Sequence, residues 1–489
     1  MKLVKSDKNP LLKLSTLDDL CSLLSVKKGQ LLFICYKRSD KAKYSSFDMK
    51  KKSGGVRKIE VPIKGLGLIQ KRLSVLLSEL ITFKPCVKGF VKGESICSNA
   101  SLHKKSKLVL NIDVQDFFGS INFGRVRATF MAKPFEMSNE VATVVAQICT
   151  FENHLPQGAP TSPVVANIIA SMLDNRVLRL AQKYRLKYSR YADDITLSSP
   201  RKFPPEVAAT VEGRTVLGEE LKTIFEKARF VINPNKTRLQ AANSRQEVTG
   251  LIVNKKLNIP KEYKHKLRAA IKHWISDPVE AERKFYVDIK GELSEEFVSQ
   301  GGERLKNNIY GRLSFMSMVK GIDDPTYIKL ALKMAENDNQ PPKFIKTIKS
   351  EHNMYDVFLC HAAEDKETIV RPLYDELKKL NLNVFLDSEE IHWGDSLIDI
   401  INRALHKSKY VIAVMSENSV EKKWPQKEIN AVLSNEIKHD KSKLLPLIHG
   451  NAEEILGTNF LMSDKLYKEW ENNPEEIAQA VLKLLQKAG

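Results

Sequence analysis

The chain of 489 residues lacks a cysteine framework. Its six cysteines, Cys21, Cys35, Cys86, Cys97, Cys149 and Cys360, are scattered, with no Cys-x-x-Cys pair. That spacing excludes a disulfide-stapled secreted fold and a readable zinc site, and it suits reduced thiols in a cytoplasmic protein. No apolar run approaches the roughly 18 residues that a membrane span requires. Charge begins at Lys2, so a signal peptide's apolar segment is missing as well. The expectation is a soluble, cytoplasmic protein without a membrane partner. Acidic residues are scarce in one region only. Residues 1–350 hold 61 Lys+Arg against 35 Asp+Glu, whereas residues 351–489 hold 17 against 24. The formal charge of +19 is therefore a body of +26 joined to a tail of −7, and binding of a polyanion belongs to the body. A hydrophobic content of 42% suffices for ordinary cores, and the length suits about two to four domains.

Tyr188 to Ser199 centres on two adjacent carboxylates. Tyr188–Tyr191 and Ile195–Ser198 are aromatic, β-branched or alternating, which predicts a hairpin with Ala192-Asp193-Asp194 at its tip. Crowding two like charges costs free energy unless a cation lies between them, so a divalent metal is one reading and a solvated Asp-Asp turn the other. Leu108 to Val114 is mostly apolar and reads as a buried strand delivering Asp113 to its end, although an acid there is also an ordinary turn residue.

Other stretches supply context. Leu11 to Leu24 carries leucines at helical spacing, Leu31–Tyr36 reads as a strand, and Leu66–Leu77 as a helix. Lys50 to Pro62 is a basic hairpin whose Gly54-Gly55 pair permits a tight turn. Leu155 to Ala170 is a Pro- and Gly-bearing loop that runs into an apolar helix, with Gly158 allowing close backbone approach.

Tyr191-Ala192-Asp193-Asp194 closely resembles the YxDD box of reverse transcriptases. In the order Asp113, Gln157-Gly158, Asp193-Asp194 the chain resembles their motifs A, B and C, and Asn233 to Thr237 resembles motif D. The resemblance implies a right-hand α+β polymerase of fingers, palm and helical thumb. It implies two Mg²⁺ ions held by Asp113, Asp193 and Asp194, which would also be the catalytic acids. Arg57 would contact the triphosphate of an incoming dNTP, Phe118 would exclude a 2′-hydroxyl, and Gln157 would touch the template or the new base pair. Lys236 would protonate the leaving pyrophosphate or contact a phosphate. Asn99-Ala100-Ser101-Leu102-His103 and Val248-Thr249-Gly250 fit the NAxxH and VTG patterns of retron reverse transcriptases. The likeness spans about residues 1–345. It assigns Asn99, His103, Val248, Thr249 and Gly250 to recognition of a cognate non-coding RNA, with a capped helix and a turn as the plainer readings. Residues 1–258 then form fingers and palm and 259–336 the thumb, where Lys264, Lys266, Arg268 and Lys272 would track a duplex backbone.

Asn337 to Pro342 breaks the helical pattern and predicts a linker over 337–353. Residues 354–489 alternate strand and helix, which implies an α/β parallel sheet of flavodoxin-like type with ligands outside the strands' carboxyl ends. Tyr355 to Lys366 and Trp393 to Leu397 resemble segments of TIR domains. Trp424 and Glu428 have the spacing that carries the glutamate of NAD-cleaving TIR domains. The resemblance makes Glu428 catalytic, His361 and Trp393 pocket residues, and NAD⁺ the substrate. Together the parts look like a retron antiphage effector whose polymerase makes an RNA-linked single-stranded DNA, and whose TIR domain cleaves NAD⁺ on activation. A homo-oligomer formed through TIR or nucleic-acid contacts is expected. The alternatives are a TIR domain that acts only by self-association, and a polymerase fold that only binds RNA.

Overall fold

The computed structural model describes residues 2–3, 9–50, 54–289, 298–352, 355–386, 407–420, 444–457 and 466–488. The chain divides into two compact units, Met1–Tyr327 and Ile328–Gly489. The division falls within the helix Pro325–Asn337, ahead of the linker expected at 337–353. That expected linker is itself helical over Lys343–His352, where Ile345 and Ile348 lie three apart and are buried.

In the first unit β1 (Tyr44–Lys50) and β2 (Val56–Pro62) form an antiparallel hairpin. A four-stranded sheet comprises β3 (Leu108–Val114), β4 (Lys187–Tyr191), β5 (Asp194–Ser199) and β6 (Ile232–Ala241) in the order β6-β3-β5-β4, every pair antiparallel. Val109, Leu110, Ile112, Ile195 and Leu197 are buried in these strands. The helix Ser162–Lys183 belongs to the same core through Val165, Ile168, Leu173 and Val177. β7 (Glu247–Val248) and β8 (Leu251–Ile252) form a small hairpin. Beyond it the helix Lys261–Ser276 buries Leu267, Ala270, Ile271 and Trp274 at three and four spacing. Lys266, Arg268 and Lys272 of that helix are exposed.

Two local expectations are corrected. Leu31–Tyr36 is helical rather than a strand: Lys28–Leu32 is an α-helix continued by a π-helical turn, Phe33–Lys37. Leu31, Ile34 and Cys35 bury one helical stripe while Phe33 and Tyr36 are exposed, a period that alternation would not give. The tip of the aspartate hairpin is the pair Ala192-Asp193, because Tyr191 pairs with Asp194 and Asp194 opens β5. Ala192 has φ +56, at a position where two-residue hairpin loops usually carry glycine.

The second unit holds a five-stranded, wholly parallel sheet. Its strands are β9 (Tyr355–Cys360), β10 (Val384–Phe385), β11 (Ser408–Ser416), β12 (Leu444–His449) and β13 (Lys468–Glu469), in the order β10-β9-β11-β12-β13. Parallel sheets bury both faces. One core joins Val357 and Leu359 to Leu373, Leu377 and Val481, and the other joins Phe358, Phe385, Val411 and Ile448. The strand order reverses between β9 and β11, the position at which ligands bind such sheets.

Candidate active site in the cleft of the first unit

Strand register brings the acids together. Asp113 on β3 is the cross-strand partner of Asp194 on β5, and Asn233 on β6 is the partner of Asp113 on its other side. The backbone amide of Val114 donates to the carbonyl of Asp193 at 3.2 Å, tying the hairpin tip to β3. Asp113 and Asp193 face a cleft of about 1280 Å³ that Arg57, Phe118, Gln157, Gly158 and Lys236 also line. Of the residues expected for catalysis, nucleotide contact and template contact in the first unit, all but Asp194 line this one cavity.

Charge is arranged unevenly in that cavity. Asp113 receives Lys236 Nζ on Oδ1 at 3.0 Å and Asn233 Nδ2 on Oδ2 at 3.2 Å. Burial, followed by the charge of Asp113, pushes the Asp193 carboxyl above its ordinary range. Asp194 remains accessible to water although protein surrounds most directions about it. That enclosure, then the charges of Asp193 and Asp113, pushes its carboxyl up to about 6. Carboxylates crowded in this way are stabilised by a hard cation, and an all-oxygen donor set suits a divalent one. Among the described residues no three acidic, histidine or cysteine side chains close a metal site by themselves. Lys236 supplies positive charge on Asp113, and the open side leaves room for oxygens of a substrate.

The hairpin β1–β2 packs on the Gln157 loop. The Glu60 amide donates to the Gln157 carbonyl at 2.8 Å, and a Cβ on Gly158, at φ +130, would lie 2.7 Å from the Glu60 carbonyl oxygen. Met49, Arg57 and Ile59 lie on the hairpin face that lines the cleft.

Three of the five residues expected to recognise RNA are placed differently from expectation, whereas Thr249 is half-buried and Gly250 exposed. Asn99, His103 and Val248 are fully buried, so their side chains do not present a surface to RNA. His103 lies between Ser198 Oγ and Ser189 Oγ, each at 2.8 Å, and burial pushes its imidazole down to about 3, so it is neutral. Asn99 Nδ2 donates to Thr249 Oγ1 at 3.4 Å, so the two short motifs are halves of one joint. Thr249 (φ +46) and Gly250 (φ +80) form the two-residue turn between β7 and β8. Outside this joint Lys104, Lys105 and Gly250 are exposed.

Sequence reasoning missed a buried network beneath the aspartates. Arg190 donates through Nε and Nη2 to the two oxygens of Asp174, each at 2.8 Å, and through Nη1 to Asn167 Oδ1 at 2.9 Å. Tyr188 Oη also donates to Asp174, at 2.6 Å. A buried arginine with no counter-charge is rarely tolerated, so Arg190 in a buried strand was the one available signal.

In the second unit, His361 is half-buried at the carboxyl end of β9, its Nδ1 3.4 Å from the Leu359 carbonyl. Trp393, Trp424 and Glu428 lie outside the described residues. Asp365, not anticipated, is buried after β9 and accepts from Ser416 Oγ at 2.6 Å and Asn418 Nδ2 at 2.9 Å. It spans the switch point between β9 and β11.

A reverse transcriptase (RNA-dependent DNA polymerase) family model matches residues 49–255, and a TIR-domain model matches residues 357–485. The cleft and the parallel sheet therefore lie in a reverse-transcriptase domain followed by a TIR domain. The chain is 31% identical over 261 residues to the retron Ec86 reverse transcriptase of Escherichia coli, covering 53% of this chain and 78% of that protein. It is 32% identical over 289 residues to the retron Mx65 reverse transcriptase of Myxococcus xanthus, covering 55% of this chain and 65% of that one. Its C-terminal part is 37% identical over 134 residues to the NAD(+) hydrolase TcpA of a Theionarchaea archaeon, covering 27% of this chain and 40% of that protein. The chain belongs to the retron reverse transcriptases.

Proposed function

We propose that the chain is an RNA-directed DNA polymerase that copies a cognate structured non-coding RNA into RNA-linked single-stranded DNA, and that its TIR domain hydrolyses NAD⁺ on activation in antiphage defence. The observation that carries the polymerase reading is the register pairing of Asp113 with Asp194, together with the place of Asp113 and Asp193 on the wall of a cleft. Asp113, Asp193 and Asp194 would hold two Mg²⁺ ions, which when bound supply charge neutralisation for the attacking 3′-oxygen and the departing phosphates. Lys236, accessible and 3.0 Å from Asp113, is within reach of the same phosphates. Arg57 approaches from the hairpin, Phe118 closes the sugar side, and the Gln157 loop packs on that hairpin and meets the new pair. The exposed Lys266, Arg268 and Lys272 and the basic balance of the first 350 residues fit an RNA–DNA duplex. RNA recognition is assigned to the surface around the Asn99–Thr249 joint, where Lys104 and Lys105 project.

The NAD⁺ reading rests on the TIR domain, its likeness to the hydrolase and Glu428. Asp365 would position the β11 loop through Ser416 and Asn418. The test sequences nucleic acid that co-purifies with the chain, then measures primer extension and nicotinamide release. Wild type should carry a short DNA joined to RNA, and Asp194→Asn should lose extension by more than about 1000-fold, the scale on which removal of a charge-stabilising catalytic group acts. Glu428→Ala should lose nicotinamide release and keep extension. Absence of both DNA and extension would overturn the polymerase reading, and an activated complex that frees no nicotinamide would leave the TIR domain as a self-association module.

A further inference from the structure

We infer that Phe90 forms, with Phe118, a two-ring wall of the nucleotide pocket and helps to exclude ribonucleotides. The inference rests on the polymerase reading. Phe90 opens to the cleft that holds Asp113 and Asp193, with 47% of its surface exposed, and its ring centroid lies 6.1 Å from that of Phe118 at an interplanar angle of 53°. Its φ is +58, a conformation that bulky side chains seldom adopt. Half exposed, Phe90 recovers little burial to offset that strain, so its surroundings must impose it. Strained residues imposed by their surroundings cluster at functional sites.

The surroundings here are well defined. A Cβ on Gly89 would lie 2.4 Å from the Ala192 amide nitrogen, so this glycine lies against the tip of the aspartate hairpin. The Gly89 carbonyl accepts from Asn167 Nδ2 at 2.9 Å, and Asn167 Oδ1 accepts from Arg190, which Asp174 neutralises. Arg190 also donates to the Ala192 carbonyl at 3.3 Å, and its backbone bonds to Cys86 and Lys88, each at 2.8 Å. Asn167, Asp174 and Arg190 are buried. One buried guanidinium therefore fixes both the tip that carries Asp193 and the segment that carries Phe90. A ribose 2′-hydroxyl pressed against this two-ring wall would lose water without gaining a partner, which disfavours it.

The experiment compares full-length wild type, Phe90→Gly and Phe90→Tyr in primer extension with dNTPs and rNTPs, beside thermal unfolding. Glycine accepts a positive φ, so Phe90→Gly should keep or raise Tm. It should raise the KM for dNTP and lower the dNTP-to-rNTP ratio of kcat/KM, each by about 10-fold, with kcat nearly unchanged. Phe90→Tyr should restore both. A wild type that extends primers and a Phe90→Gly variant within about twofold of it in KM and ratio would overturn this inference alone. So would a fall in Tm with KM unchanged, which marks a packing residue. A wild type that extends nothing removes the polymerase reading and this inference with it.

Discussion

Asp174 and Arg190 show how much a buried pair can determine. Both are sealed from water, and their two parallel hydrogen bonds satisfy charges that would otherwise be costly to bury. Asp174→Asn keeps the shape and removes the counter-charge, leaving Arg190 buried and under-compensated. Urea unfolding of the first unit should show a loss of about 3–5 kcal/mol; a loss under about 1 kcal/mol would mean that water reaches the pair. His103 offers a test through pH. Its folded-state value of about 3 lies below the ordinary 6.5, so the unfolded chain takes up a proton that the native chain refuses. The native state is undiminished above pH 6.5 and loses about 1.4 kcal/mol per pH unit as pH falls from there toward 3. In a His103→Gln chain this component of the stability profile should disappear, though the Ser189 and Ser198 contacts make that variant less stable at neutral pH. At this scale the sequence was legible in the meeting of Asp113 with the Asp193-Asp194 hairpin, which strand register brings together. It misplaced Asn99, His103 and Val248, since a short motif does not say whether its side chains face inward, and it was silent on Asp174, whose partner lies 16 residues away.

Elements were legible where their period was local. β3, the helix Lys64–Leu80 and the aspartate hairpin fall where apolar spacing puts them. The turn at Leu31–Tyr36 was misread because six residues carry too little of either period to separate helix from strand. What joins elements was harder to see. That Gly158 permits a close approach could be read from glycine in a Pro-rich loop, but that Glu60 is the neighbour could not, with about 100 residues between them. Gly158→Ala should force the β1–β2 hairpin off the Gln157 loop, because a side chain there meets the Glu60 carbonyl and cannot adopt φ +130 without strain. A destabilisation of about 1–3 kcal/mol is expected, with dNTP kcat/KM falling by at least about 10-fold. Unchanged extension would show that the two elements slide past each other freely.

At the scale of the whole chain, charge and periodicity separated a basic polymerase from an acidic α/β domain, but placed a linker where a helix stands. Breaks in helical pattern mark a proline, not the edge of a core, and Pro341 and Pro342 precede a helix whose Ile345 and Ile348 are buried. Each unit has its own core, which is the physical condition for independent cooperative unfolding. Phe385 is 1% exposed and its ring stacks on Phe358 with centroids 5.1 Å apart, inside one face of the parallel sheet. Phe385→Ala should open a cavity there and cost that unit about 3–5 kcal/mol. Calorimetry of the full chain should then show one transition displaced downward and the other unmoved, with NAD⁺ cleavage lost at the temperature of the displaced transition. Primer extension should stay within about twofold of wild type, because none of the cleft residues depends on the lost contact. A single transition that moves as a whole, with extension falling in parallel, would show instead that the polymerase and TIR units unfold as one body.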